Sequence, residues 1–373
     1  MLIDDGAKSE QFVPVNEDNN RPPIINTFPP GTKKDESFDI QAVNSNAWRG
    51  MPFSKATQLQ SWLIFFLMGV LTGAIAFGMD RLEEFLVGTR AELAQKTIGH
   101  DGSLVASWSV YSFFSTGLVA IAAGMSIWWG PGAIGSGVAE TMGIVNGYNY
   151  HDFIGINTLV TKIFGVVLAV SGGMKVGKEG PLAHIGSLVG VACIYIPWSL
   201  NKSFRNDRDK RAIIAAGAGV GVSVAFGAPI GGVLFAYEVS KANAFWTFTL
   251  AWKTFLSTSM ANFTLTMLNA IATGNFDNVT NAGLIKFGDI KKNNYDLPDV
   301  IIFIIIGVLG GLLGALFIEI NMAMGRARKR LIKKPITKFI EALAFAFVGS
   351  TLVYYIPSMF DCITKDEGDT SGI

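Results

Sequence analysis

The segment Gly177-Lys178-Glu179-Gly180-Pro181 places a carboxylate between two glycines inside a long hydrophobic region of the chain. Glycine lets a backbone leave regular structure and expose its amide groups, and proline is favoured in the first turn of a helix. The segment therefore predicts a helix N-terminus, where unpaired N–H groups and the helix dipole stabilise negative charge. Either the Glu179 carboxylate or a diffusible anion can occupy such a position. Competition between the two is the physical basis of a gate.

The composition around this segment is that of a polytopic membrane protein, because 50% of the 373 residues are hydrophobic and 42 are glycine. The formal net charge of +1 argues against a nucleic acid partner, since phosphate binding needs a surplus of basic residues. The chain has 2 cysteines, too few for a disulfide framework or a cysteine metal site. We expect no metal and no cofactor.

The distribution of apolar residues divides the chain into three regions. Residues 1–58 are polar, lack an apolar run and are interpreted as a cytosolic tail without a cleavable signal peptide. Residues 59–362 contain apolar runs of unequal length, and several are shorter than the ~20 residues of a simple span. Glycine and proline motifs separate these runs, which predicts short, broken helices that meet around an ion site within the membrane. Residues 363–373 form a polar C-terminal tail.

Two further glycine-rich breaks lie on either side of the first one. Before it, Gly135-Ser136-Gly137-Val138 offers backbone amides and a hydroxyl, which are neutral donors that hold an anion weakly enough to release it. Close helix packing explains the same glycines equally well. After it, residues 226–238 combine another break with a short helix, and there helix packing is the favoured interpretation.

Together and in this order, the three motifs resemble the CLC family of chloride channels and chloride/proton exchangers. The first is similar to the family's GSGIP motif as far as its fourth position, with Ala139 where the family usually has proline. The second is identical to GKEGP, and the third is similar to GAPxGGVLFxxE. The similarity runs from residue 60 to Cys362, and its texture is most like the lysosomal and endosomal branch.

The resemblance implies an all-α membrane protein with the family's CLC-type inverted repeat, built from short, broken and tilted helices. It also implies that the second repeat is incomplete in this chain. Glu179 would be the gating carboxylate, and Lys178 would add electrostatic attraction for anions or act only in packing. The residues implied to bind chloride are Ser136, Gly137, Val138 and Gly180.

The resemblance also sets a choice between channel and exchanger. The family's exchangers have a second glutamate directly after Glu238, which relays protons, whereas this chain has Val239 there. Valine cannot carry a proton, and several passive channels of the family have valine at this position. We therefore favour a voltage-gated chloride channel over a chloride/proton antiporter of an endosomal or lysosomal membrane. An incomplete, non-conducting subunit is a third hypothesis, because the family's later chloride-coordinating tyrosine and CBS pair have no counterpart in the sequence.

A nucleotide-dependent enzyme is a hypothesis of a different class, because Gly172 to Lys178 reads as the GxxxxGK of a P-loop. The next residue is Glu179, where a P-loop needs Ser or Thr, and a carboxylate there would repel phosphates. We therefore expect no enzymatic activity. The expected partners are chloride, the lipid bilayer and a second copy of the chain in a homodimer, with an accessory membrane subunit as a further candidate. The expected location is the plasma membrane or an endosomal or lysosomal membrane.

Overall fold

The computed structural model of the chain describes residues 55–101, 103–148, 150, 152–195, 204, 207–240, 246–274, 284 and 297–359. All the described helices belong to one compact unit, Phe53–Ile373. Most of the predicted N-terminal tail and all of the predicted C-terminal tail lie outside the described residues.

Helices make up the secondary structure of the described residues, which contain no strand. A π-helical turn, Met125–Trp129, and a 3-10 turn, Pro131–Ala133, follow the second helix. The α-helices are α1 Lys55–Asp101, α2 Leu104–Gly124, α3 Val138–Val145, α4 Ile156–Ser171, α5 Glu179–Tyr195, α6 Asp207–Phe226, α7 Pro229–Ser240, α8 Phe248–Thr273, α9 Leu297–Leu331 and α10 Pro335–Ser358.

The predicted all-α membrane architecture is confirmed. Within the described residues, four helical stretches are long and apolar enough to cross a membrane: Gln58–Ile98, Leu104–Trp129, Pro298–Leu331 and Pro335–Pro357. Ile156–Ser171 in α4 is apolar but shorter. The first helix extends well beyond its apolar run, because the polar residues that follow are good helix formers and include the i,i+4 ion pair of Glu92 with Lys96 at 2.7 Å.

The centre of the structure is the contact between α5 and α6, which is made by small residues. A Cβ at Gly217 would lie 2.8 Å from Ser187 Cα, and a Cβ at Gly221 would lie 2.8 Å from Ala183 N. The two backbones are therefore too close for any side chain at these positions. Such contacts are typical of membrane helices, where van der Waals packing replaces the hydrophobic effect.

The first and eighth helices pack in the same way. A Cβ at Gly73 would lie 3.2 Å from the carbonyl carbon of Ala261, so α1 and α8 are in backbone contact. Arg81 on α1 donates a hydrogen bond of 2.9 Å to the side-chain oxygen of Asn269 on α8. These contacts hold α1 in a fixed place beside the site described next.

Candidate functional site

Two helix N-termini meet at the site, and each begins at one of the glycine motifs. The third helix begins at Val138 and the fifth at Glu179. A Cβ at Gly180 would lie 2.7 Å from Ser136 Cβ and 3.5 Å from Val138 Cγ2. The structure thus brings together the residues that the sequence indicated for chloride binding. Two helix N-termini in contact concentrate unpaired N–H groups and positive dipole ends, which favour an anion.

The segment before α3, residues 134–137, is here called the serine loop. Its Gly137 has φ 84°, a left-handed conformation that L residues rarely adopt. A Cβ on Gly137 would also collide with the ring of His184. The Ser136 hydroxyl is exposed and accepts a hydrogen bond of 3.3 Å from Val138 N, the first residue of α3.

A buried lysine holds the serine loop through hydrogen bonds to main-chain oxygens. Lys162, in the middle of α4, is 2% exposed. Its Nζ donates to the carbonyl oxygens of Ala133, at 2.9 Å, and Gly135, at 2.7 Å. These oxygens would repel an anion, and the ammonium neutralises that repulsion. Sequence reasoning missed Lys162, although a lysine inside an apolar helix is a recognised sign of function in membrane proteins.

The ring of His184 packs directly against Gly137. It is 0% exposed and stacks on Phe153, with ring centroids 3.9 Å apart. Its Nε2 lies 3.3 Å from Phe153 O, and its Nδ1 has no hydrogen-bond partner in the described part of the chain. The contacts are those of a packing residue that supports the serine loop.

The segment before α5, residues 172–178, is here called the gate loop. The half-buried Glu179 side chain that follows it folds back against Gly177. Its carboxylate makes no hydrogen bond or ion pair with any residue that the structure describes. The Nζ of Lys178, by contrast, lies 2.8 Å from Glu83 Oε2 and 3.7 Å from Asp80 Oδ1. Among the described residues, the gating candidate therefore has no fixed partner, whereas the neighbouring Lys178 lies between two carboxylates.

The third motif leads into α7, which begins at Pro229, two residues after Gly227, a glycine with φ 64°. A Cβ at Gly232 would lie 2.6 Å from Ser223 Cβ on α6, so this glycine serves close packing. At the end of α7, Glu238 is exposed and Val239 is buried, with 6% exposure. The position where the family's exchangers carry a second glutamate is thus a buried apolar site.

A family profile described as voltage gated chloride channel matches residues 118–365, more than half of the chain. The chain belongs to the voltage-gated chloride channel (CLC) family. The family predicted from the three motifs is confirmed, and so is its multi-pass location in a membrane.

Similar curated proteins include H(+)/Cl(-) exchange transporter 7 of Mus musculus, which is 34% identical over 333 residues, covering 86% of this chain and 40% of the transporter. The Homo sapiens transporter of the same name is 34% identical over 342 residues, covering 88% of this chain and 42% of the transporter. The chain therefore spans less than half the length of these relatives.

The fold is also that of a solved structure. The crystal structure of a slow cyanobacterial Cl-/H+ antiporter matches with a TM-score of 0.63 and 24% sequence identity, covering 79% of this chain and 64% of that one. At this level of identity the likeness establishes the fold alone.

The comparisons correct the preference for a channel over an exchanger. That preference was wrong, because the similar curated proteins from Mus musculus and Homo sapiens are named as H(+)/Cl(-) exchange transporters. The physical reason for the error is that Val239 excludes a proton at one position only. It does not exclude proton transfer by another route, and the whole-chain similarity outweighs that single position.

Proposed function

We propose that the chain takes part in chloride/proton exchange across an endosomal or lysosomal membrane, with Glu179 as the group that both replaces chloride and carries the proton. The observation that carries this proposal is the position of the Glu179 carboxylate. It lies at the N-terminus of α5, beside the serine loop, and has no partner in the described residues. The names of the similar transporters support the same reaction.

The chemistry follows from the charge of one side chain. An ionised Glu179 competes with chloride for the N–H groups at the two helix N-termini, because a carboxylate and a chloride ion carry the same charge. Protonation removes the charge of Glu179, so the neutral side chain leaves and chloride takes its place. Each chloride that displaces the side chain therefore favours uptake of a proton, and this linkage couples the two ions.

The route of the proton to Glu179 does not use position 239, because valine has no titratable group. Glu238, the adjacent carboxylate, is exposed at the end of α7 rather than directed into the packed interior. We therefore propose that the proton reaches Glu179 from the side opposite to α7 or through water. Adding a carboxylate by Val239→Glu would then create a second route.

The assembly proposed with this function is a homodimer in the lipid bilayer, with an accessory membrane subunit as a further candidate. This assignment rests on resemblance to the CLC family. We also propose that the protein uses no cofactor and is not an enzyme. In such an exchange the gradient of one ion drives the other, so only the two ions are needed.

The test is simultaneous measurement of chloride and proton movement in liposomes that contain the 373-residue chain. An outward chloride gradient should drive protons inward against their own gradient, and Val239→Glu should raise the proton rate without being required for it. Chloride movement without proton movement would contradict the exchanger assignment. Movement of neither ion by correctly folded protein would contradict transport by this chain alone and favour an incomplete subunit.

A further inference from the structure

The gate loop is joined at its C-terminal end to α1 by a cluster of charged side chains. Lys178 lies between the carboxylates of Glu83, at 2.8 Å, and Asp80, at 3.7 Å. The three side chains are 19%, 18% and 23% exposed, so water screens their attraction only in part. In such a setting, removing one partner leaves a poorly solvated charge behind, which costs more than the loss of an exposed ion pair.

The N-terminal end of the gate loop is joined to the same helix. Arg90 Nη1 donates to the carbonyl oxygen of Ser171, at 2.7 Å, and to Ser115 Oγ, at 3.3 Å. The Arg90 guanidinium carbon also lies 4.6 Å from the centre of the Tyr111 ring, in a cation–π contact. Because Ser171 is the last residue of α4, Arg90 fixes the point at which the chain enters the loop.

The charged residues of α1 that make these contacts share one face of the helix. With 100° between successive residues, Asp80, Glu83 and Arg90 lie within about 80° of one another around the helix axis. The helix itself is fixed on α8 by the backbone contact at Gly73 and the hydrogen bond of Arg81 to Asn269. One rigid face thus holds both ends of a short loop, and Glu179 is the first residue after that loop.

We propose that Asp80, Glu83 and Arg90 are positioning residues for the gate: they hold the loop so that Glu179 swings from a fixed base. The proposal rests on the proposed function, in which Glu179 moves. It also gives Lys178 a structural task. One ammonium between two carboxylates leaves a local net charge of −1, so the cluster as a whole does not attract anions. What Lys178 supplies is attachment of the loop to α1.

The first test does not depend on transport. Hydrogen exchange of the backbone amides can be compared in the parent chain and in Glu83→Gln, which keeps the shape of the side chain and removes its charge. We expect exchange in residues 174–178 to accelerate by about tenfold, because the loop opens more often when Lys178 loses its main partner. The matched control is Glu84→Gln. Glu84 is the next residue, is 58% exposed and pairs with Arg81 instead.

Unchanged exchange in the gate loop of Glu83→Gln, or equal acceleration in Glu84→Gln, would overturn the proposal. Should Glu83→Gln fail to fold, Glu83→Asp gives the same comparison with the charge kept and the side chain shortened. That variant should show an intermediate rate, and the parent rate in that case would equally count against the proposal.

The second test measures what a merely structural residue would not change, namely the ratio of chloride to proton movement. The reversals Glu83→Lys and Lys178→Glu should each raise the ratio, because a loosened loop lets chloride pass without a proton. The double reversal restores the pair in the opposite order and should return the ratio most of the way to the parent value. Failure of the double variant to recover, with both single variants folded, would contradict the assignment.

The two tests separate this inference from the proposed function. A parent chain that shows no coupled exchange contradicts the proposed function, while hydrogen exchange still decides whether α1 holds the loop. A coupled parent whose ratio is unchanged in both single reversals contradicts the positioning role alone.

Discussion

The serine loop and the gate loop lead into two helices that meet at Gly180, but opposite charges hold the two loops. The ammonium of Lys162, which is 2% exposed, binds the carbonyl oxygens of Gly135 in the serine loop and of Ala133 just before it. The gate loop carries its own ammonium, Lys178, which lies between carboxylates and is 19% exposed. A buried cation on main-chain oxygens is part of the packed core, whereas a partly hydrated ion pair opens more easily. The difference predicts that the serine loop opens only with the packed core, whereas the gate loop, although α1 holds both its ends, opens more often.

The largest expected effect comes from removing the lysine that holds the serine loop. Lys162→Met keeps much of the side-chain length but leaves the buried carbonyl oxygen of Ala133 and the partly buried one of Gly135 without their charged donor. We expect the free energy of unfolding to fall by about 3 kcal/mol, since each lost hydrogen bond to a charged group costs ~1.5 kcal/mol or more. A denaturant titration in detergent measures this. Lys175→Met, in the exposed part of the gate loop, is the control and should change little.

Equal stability of Lys162→Met and Lys175→Met would contradict the proposed difference in how the two loops are held. It would mean that the serine loop does not depend on Lys162, despite the short distances to its carbonyl oxygens.

A smaller effect is expected from glycine substitutions within the serine loop. Gly135 and Gly137 have nearly the same φ, 82° and 84°, so alanine strains the backbone equally at both. A Cβ at position 135 would meet no atom within 4 Å, whereas at 137 it would collide with His184. We expect Gly135→Ala to cost about 1 kcal/mol and Gly137→Ala clearly more, because only the latter adds a collision to the strain. The same denaturant titration compares the two, and equal costs would show that His184 yields without resistance.

The smallest effect is expected from the serine hydroxyl that precedes α3. Ser136→Ala removes the hydroxyl that accepts a hydrogen bond from Val138 N. A lost N-cap costs about 1 kcal/mol. Ser136 lies one residue before the N-cap Gly137, and its contact is long and exposed, so the loss of stability should be smaller than that value. The free energy of chloride binding, measured by calorimetry, should fall by more than the free energy of unfolding. A variant that binds chloride as well as the parent would show that the backbone amides alone hold the ion.

The helix N-termini of this site could be predicted from sequence because glycine and proline act locally. The breaks at Gly137 and before Glu179 lie where the motifs place them. What holds the loops could not be predicted, because these contacts join residues far apart in the chain. Lys162 lies 29 residues after Ala133, and the carboxylates that bind Lys178 lie on α1. A motif states which backbone conformation is needed, but only tertiary packing brings the groups that stabilise it.

The roles of Ser136, Gly137, Val138, Gly180 and Glu179 in binding and gating stay predictions, although the structure brings them together. Lys178 is the residue whose interpretation changes most. Its charge suggested attraction of anions. In the structure two carboxylates already neutralise that charge, so Lys178 attaches the gate loop to α1 instead.

The most direct test of the role of Glu179 is the ratio of chloride to proton movement in liposomes. It is measured for Glu179→Gln and compared with the parent chain. Glutamine keeps the shape of the side chain but cannot take up a proton at neutral pH. The control is Glu140→Gln, in the first turn of α3, which removes a nearby carboxylate that has no part in the proposed exchange. We predict that Glu179→Gln moves chloride with no coupled proton and with a rate independent of pH, while Glu140→Gln keeps the parent ratio. Coupled proton movement in Glu179→Gln would contradict the proposal that Glu179 carries the proton and replaces chloride.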